Sequence, residues 1–321
     1  MIVAIDVGGT KISGGIITEE GVIKNFVKEA TRKEGGYIVV KQVAQIIENL
    51  VKNIRGLNSV VGIGLSIPGI VNNDTVIMAP NIKDWENIHL IELLSLELKN
   101  EIPIVLVDDR ISATLGEYWL GAARNSRNAV VIIIGTGVGA GIIIDGKPYS
   151  GSNEVAGAIG WWLTDHEELV KETFKGFLEE KVAGPAIARK AIIELKRQGE
   201  TASEVLARMC QHKIDEITSE MVFDAAKQGD PLSIRIVEEV VEYVGMAVSN
   251  VVSVLDPEVV VISGGVGKAL VNYSKKIEDI VKRFSQPYAA KKVKIAFSEL
   301  GDRACLLGAA KYVLEKCGKN K

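Results

Sequence analysis

The feature that most constrains this 321-residue chain is that it repeats itself. Residues 3–17 read VAIDVGGTKISGGII and residues 130–144 read VVIIIGTGVGAGIII. Val3, Ile5, Gly8, Gly14, Ile16 and Ile17 match Val130, Ile132, Gly135, Gly141, Ile143 and Ile144 at a constant offset of 127 residues. A repeated unit fixes the architecture before any local propensity is weighed. Each copy is an apolar run, a glycine-rich turn and a second apolar run. The second copy runs on to Asp145-Gly146, a favoured two-residue hairpin turn, and the first to Glu20-Gly21 ahead of an apolar stretch at 22–27. Each half is therefore expected to open as an antiparallel meander.

The rest of each half alternates helix and strand. Val40, Val43, Ile46, Ile47 and Leu50 fall at helical spacing and predict a helix over 37–54. A short buried strand comes next at 60–66, then a helix at 90–98 and another strand at 104–107. In the second half, helices are predicted over 185–197 and 231–255, the latter with Asp230 as N-cap and Pro231 at its first position. A buried strand at 259–262 ends on Ser263-Gly264-Gly265, and a closing helix covers 305–314. Such a pattern predicts α/β domains with mixed sheets and helices on both faces. We expect an N-terminal domain over 1–118, closed by the returning helix 304–321, and a C-terminal domain over 119–303. The length suits two domains of about 150 residues each.

Composition excludes several classes of function. With 38 Lys and Arg against 41 Asp and Glu the net charge is −3, so no basic surface for nucleic acid or an anionic membrane is expected. Apolar runs such as 129–134 fall far short of the ~18 residues of a membrane helix, and no leader pattern opens the sequence. Cys210, Cys305 and Cys317 are odd in number and form no C-x-x-C pair, which predicts buried thiols in a reducing compartment. A cytoplasmic protein is expected.

A glycine-rich hairpin at the end of a buried strand turns successive N–H groups outward with no side chains in the way, which makes an anion cradle. Residues 6–11 and 135–139 are either merely tight turns or such cradles, one from each domain, gripping a polyphosphate across a cleft. Their duplication, with Asp6, Thr10 and Lys11 in one and Thr136 in the other, favours phosphate. Gly135, Gly137 and Ala140 nominally satisfy the dinucleotide fingerprint, but a strand comes after them instead of the helix that motif requires. No Walker sequence occurs.

These residues resemble the sugar kinase, heat-shock ATPase and actin superfamily and, within it, the ROK family of bacterial and archaeal sugar kinases and repressors, over nearly the whole chain. Asp6-Val7-Gly8-Gly9-Thr10-Lys11 resembles the first phosphate motif, Gly135-Thr136-Gly137-Val138-Gly139 the second, and Ser263-Gly264-Gly265-Val266 the adenosine motif, with Gly308-Ala309-Ala310 in the closing helix. The resemblance implies two actin-like ATPase domains (ribonuclease H-like) flanking a cleft. It implies that ATP is bound through Gly8, Gly9, Thr10, Lys11, Gly135, Thr136, Gly137, Gly139, Gly264, Gly265 and Gly308. Asp6 would position Mg²⁺ through its water shell; its plainer role is a strand-end turn residue. Repressors of the family carry a helix-turn-helix ahead of the first strand, so the kinase branch is expected here.

Phosphoryl transfer to an alcohol needs a carboxylate that accepts the hydroxyl proton. Strand 104–107 leads straight to Asp108-Asp109 and then a helix over 111–120, so two carboxylates stand at a strand end, where α/β sheets place ligands. The segment DDRISATLGE (108–117) resembles the family's N-D-A-N-A-A-A-x-G-E, which makes Asp109 the implied catalytic base. Helix N-cap is its alternative role, compatible with the first because the helix dipole also favours the ionised form. Asp108, as a substrate-binding residue, departs from the family's asparagine: ionised, it only accepts. The segment EVAGAIGW (154–161) resembles G-A-x-G-E-I-G-H, so Ala158 and Trp161 replace a Glu and a His that touch the sugar, the His also binding zinc. Residues 164–180 hold no cysteine and His166 alone cannot build a tetrahedral site, so no structural zinc is expected.

Gly176-Phe177-Leu178-Glu179 resembles Gly-Cys-Leu-Glu and implies a sugar contact for Glu179, otherwise a solvated carboxylate beside Glu180 and Lys181. Pro68, Gly69 and Asn81, in SIPG and APNIKDW, resemble sugar-facing loops, and Trp85, Trp161 and Trp162 are either platforms for a sugar ring or packing. The expectation is an ATP- and Mg²⁺-dependent kinase acting on a hexose hydroxyl, glucose first, with Asp109 as base and domain closure excluding water. An N-acetylhexosamine, another hexose or a polyol is the alternative acceptor, and polyphosphate an alternative donor. A superfamily ATPase and a non-catalytic sugar or nucleotide sensor are the rival functions. Related kinases are commonly dimers or tetramers, so a homo-oligomer is expected.

Overall fold

The repeat folds as one motif used twice. A computed structural model describes residues 1–52, 54, 56–164 and 176–318. Its strands in chain order are β1 (Ile2–Val7), β2 (Lys11–Ile17), β3 (Ile23–Ala30), β4 (Ile63–Ile67), β5 (Ile70–Asn72), β6 (Thr75–Met78), β7 (Glu86–Ile88), β8 (Ile104–Asp108), β9 (Ala129–Ile134), β10 (Val138–Ile144), β11 (Lys147–Pro148), β12 (Val259–Ser263) and β13 (Lys294–Phe297). One five-stranded sheet has the order β3-β2-β1-β4-β8 and the other β11-β10-β9-β12-β13. In the first, β1, β2 and β3 form the antiparallel meander while β4 and β8 add in parallel. In the second, β12 and β13 add in parallel beside β9. The hairpins agree residue for residue: β1 ends at Val7 and β2 opens at Lys11, and β9 ends at Ile134 and β10 opens at Val138.

Two compact units result. One comprises Met1–Asn125, Gly141–Ala156 and Glu299–Lys321, the other Ser126–Ala140 and Gly157–Ser298. The sequence put the division at 118/119; the chain instead crosses at Asn125 and again inside β10, and the hairpin after β10 joins the first unit. Asp145 and Gly146, at φ 52° and 76°, form the turn that the pair predicts.

The first sheet buries Val3, Ile5, Ile12, Ile63 and Leu65 against the helix Gly36–Val51, whose inward stripe includes Val40, Val43, Ile46, Ile47 and Leu50. The helix Ala304–Cys317 returns to this unit and meets the helix Asp109–Leu120 very closely: a Cβ on Gly308 would lie 1.6 Å from the Ser112 carbonyl oxygen. In the second unit the helix Pro231–Leu255 opens as predicted, Asp230 accepting from the Ser233 N–H at 2.8 Å. The two loops read at 66–69 and 79–85 flank strands of a small sheet, β5-β6-β7, whose strands of three or four residues are too short to show alternation. Of the cysteines expected to be buried, Cys210 is, whereas Cys305 and Cys317 are partly accessible.

Candidate active site

In the first unit the Gly8–Thr10 hairpin is closed by the Gly8 N–H on the Lys11 carbonyl at 2.9 Å. Thr31 braces it from β3's end: its hydroxyl donates to the Gly8 carbonyl at 2.6 Å and its N–H to the Thr10 carbonyl at 3.1 Å. Asn81 meets the same turn through its backbone, since a Cβ on Gly9 would stand 2.3 Å from the Asn81 carbonyl oxygen. The Lys11 ammonium reaches Asp302 Oδ2 at 3.0 Å, with Lys28 3.7 Å from the same oxygen. That contact holds the Lys11 ammonium more firmly protonated and the Asp302 carboxyl below its ordinary range.

Asp6 lies one residue before the end of β1, paired with Ser66 of β4. Burial raises its carboxyl to about 6, opposed by the Ser66 hydroxyl and Lys11 and reinforced by Asp302. Asp109 opens the helix that comes after β8 and is raised to about 7, by burial first, then by the Asp108 charge beside it and by Asp6, against the pull of Arg110. Both residues are partly accessible. Cys305 joins them from the closing helix, its Sγ 3.7 Å from the Asp109 carbonyl; burial and the Asp6 and Asp109 charges push its thiol well up.

The cap of that helix is Asp108, not Asp109. Asp108 Oδ1 accepts from the N–H groups of Arg110 and Ile111, both at 3.1 Å, because only the residue before the first helical one has the extended backbone that turns its side chain onto them. Arg110 Nε donates to the same oxygen at 3.1 Å, and burial still leaves the Asp108 carboxyl above its ordinary value. Asp109, relieved of capping, has its carboxylate free of that duty.

In the second unit the Gly135–Gly137 turn is tighter, Gly135 donating to the Gly137 carbonyl at 2.9 Å. A Cβ on Gly135 would meet nothing within 4 Å, so its face is open. Glu179, at the start of the helix Glu179–Val182, accepts from the Val138 N–H at 2.9 Å and thereby braces the hairpin. A cavity of about 470 Å³ adjoins this turn, lined by Gly135, Thr136, Pro185, Thr218, Ser219 and Gly265. Gly264, just past the end of β12, stands at φ 87° with its Cβ position 2.3 Å from the Ile134 carbonyl oxygen, which leaves only glycine able to pass there.

The other sequence candidates separate. Pro68 and Gly69 link β4 to β5, Gly69 at φ 113° against the Met78 carbonyl. Gly139 lies within β10. Trp85 is 1% exposed and donates Nε1 to the Gly36 carbonyl at 3.0 Å, so it packs the core and offers no sugar platform, while Trp161 is 59% exposed. Gly308 stands at the helix crossing described above. The zinc expectation concerned 164–180, of which 165–175, His166 included, lie outside the described residues. Sequence reading missed Arg110, Thr31 and Asp302, none of which carries a motif; the one available signal was Arg110 standing at an alanine position of the family pattern.

Two sheets of the same order, each opening on a glycine hairpin, with buried carboxylates beside one of them, define the actin-like ATPase fold. The profile of the ROK family matches residues 2–316, and the chain belongs to that family. A glucokinase of Halalkalibacterium halodurans is 30% identical over 325 residues, covering 98% of this chain and 95% of that protein. A xylose repressor of Caldicellulosiruptor bescii is 27% identical over 91% of this chain and 74% of its own length. Among solved structures, a ROK family glucokinase from Streptomyces griseus in complex with glucose and AMPPNP superposes with a TM-score of 0.78 at 27% identity, covering 97% of this chain and 98% of that one.

Proposed function

We propose that this protein is an ATP- and Mg²⁺-dependent sugar kinase that phosphorylates a hexose hydroxyl, glucose being the first acceptor to try, with Asp109 as general base. The observation that carries the reading is the Asp109 carboxyl at the end of β8, raised to about 7 and released from capping by Asp108. A base poised near the working pH takes a hydroxyl proton efficiently. Two relatives support it: the H. halodurans protein is named for this activity, and the S. griseus structure holds a sugar and an ATP analogue.

The chain's own donors fit the implied ligands. The open face at Gly135 and the cavity beside Thr136 and Gly265 suit a nucleotide. Asp6 supplies one buried carboxylate beside Ser66 of the neighbouring strand; hard oxygen donors of this kind suit Mg²⁺ held largely through water. When bound, the metal would neutralise charge on the phosphates. Asp6 would orient that water shell, Lys11 would move from Asp302 toward the phosphate, and Asp109 would take the proton of the attacking hydroxyl onto its carboxylate. ADP release from Mg·ATP across hexoses, N-acetylhexosamines and polyols tests the reading. Acceptor-dependent release supports it; release without an acceptor that survives in Asp109→Asn means an ATPase, and tight binding without turnover means a sensor.

A further inference from the structure

The corner that carries Asp109 holds an interaction with no counterpart in any motif. Arg110 is 16% exposed at its side chain and makes three hydrogen bonds: Nε to Asp108 Oδ1 at 3.1 Å, Nη1 to the Ala156 carbonyl at 3.3 Å and Nη2 to the Glu154 carbonyl at 3.2 Å. With the two N–H groups of the helix start, Asp108 Oδ1 receives three donors, which saturates an oxygen offering about two lone pairs. The turn at the other end is strained. Glu154 sits at φ 57°, a conformation that a long side chain adopts only where its surroundings hold it, and the Ala156 N–H closes the turn on the Ser150 carbonyl at 2.9 Å. Just beyond along the chain stand Ala158 and Trp161, where the family's sugar contacts would be.

We propose that Arg110 is a positioning residue for the acceptor: it binds Asp108, through that carboxylate's Oδ1, and the Glu154–Ala156 turn into one piece. The inference rests on the kinase reading of this corner. Only a guanidinium does this, because its planar fork spans a carboxylate and two carbonyls at once, whereas an ammonium is a point charge. The chain thus fixes by an internal clamp a segment that has lost its Glu and His.

The test has two arms. Hydrogen exchange of the full-length protein without ligand reads the clamp directly: in Arg110→Ala and in Asp108→Asn the Ala156 amide exchanges about tenfold faster or more, because a local opening has lost its restraint. Unchanged exchange in Arg110→Ala overturns the proposal. Steady-state kinetics reads the consequence: acceptor KM rises about tenfold in Arg110→Ala, with nucleotide KM within about twofold, as displacement of a positioning segment predicts. Arg110→Lys rescues little of this and serves as the second variant if Arg110→Ala does not fold. The double variant Arg110→Ala/Asp108→Asn is no worse than the poorer single one; multiplicative effects would mean that the two residues act independently, and would overturn the assignment. If the wild-type protein phosphorylates no acceptor, the kinase reading falls, and the exchange arm alone decides whether Arg110 holds the turn.

Discussion

The two glycine hairpins share length and sheet order, yet their surroundings differ in charge. At the constant offset of 127 residues Asp6 corresponds to Ile133 and Lys11 to Val138. The first hairpin stands among Asp6, Lys11, Asp302 and, beyond β4, Asp108 and Asp109. The second is neutral on its strands and is braced by one carboxylate, Glu179, on the backbone of Val138. On the proposed reading, the duplicated scaffold would carry two specialisations: proton and metal chemistry in one copy, and phosphate cradling beside a cavity of about 470 Å³ in the other. A scaffold of paired strands fixes where a turn points, and the residues flanking it decide what the turn is for.

The largest effect should come from removing the charge that makes the copies unlike. Asp109→Asn is expected to lower turnover by about 10² or more, the scale of general-base catalysis, with both KM values little changed. Gly9→Ala and Gly135→Ala sharpen the contrast in a different way. The first drives a Cβ to 2.3 Å from the Asn81 carbonyl and should cost about 1–3 kcal/mol of stability, seen in the denaturant midpoint. The second meets open space, so stability should stay within about 0.5 kcal/mol while nucleotide KM rises as the cradle fills.

Titration separates the copies further. Because the folded state holds protons on Asp6 and Asp109 at about 6 and about 7, above their value of 3.8 in the unfolded chain, their contribution is fully present below about pH 4 and is lost as pH rises to 7. Ligand-free protein should lose on the order of 5 kcal/mol over that window, and Asp109→Asn should flatten the curve; an unaltered slope would contradict the burial account. Turnover runs the other way, rising with pH through about 7 as Asp109 ionises. The smallest effect is at the second hairpin: Glu179→Gln keeps an acceptor for the Val138 N–H and should raise nucleotide KM by only a few fold, Glu179→Ala by more.

What was legible in the sequence was local and periodic. The helix Leu90–Leu98 falls where its pattern put it, and Asp230 caps its helix as its position before Pro231 implies. Both hairpins and the Asp108-Asp109 corner were visible because strand ends and glycine turns are written in neighbouring residues. The features that could not be read depend on distant partners. Trp85 is buried by the Gly36 carbonyl 49 residues away, and Arg110 finds Glu154 and Ala156, 44 and 46 residues on. That Asp108 and not its neighbour caps the helix turned on one residue of backbone geometry, finer than any propensity resolves.

The close seat of Gly308 on Ser112 has a consequence for biosynthesis. The second unit consists of Ser126–Ala140 and Gly157–Ser298 and so is complete as soon as Ser298 has emerged from a ribosome. The first, though it begins the chain, stays open along its apolar flank until the helix Ala304–Cys317 is made. The unit that bears Asp6 and Asp109 is thus assembled last, and a nascent chain stalled before residue 304 would show its second unit folded while its first still awaited its cover.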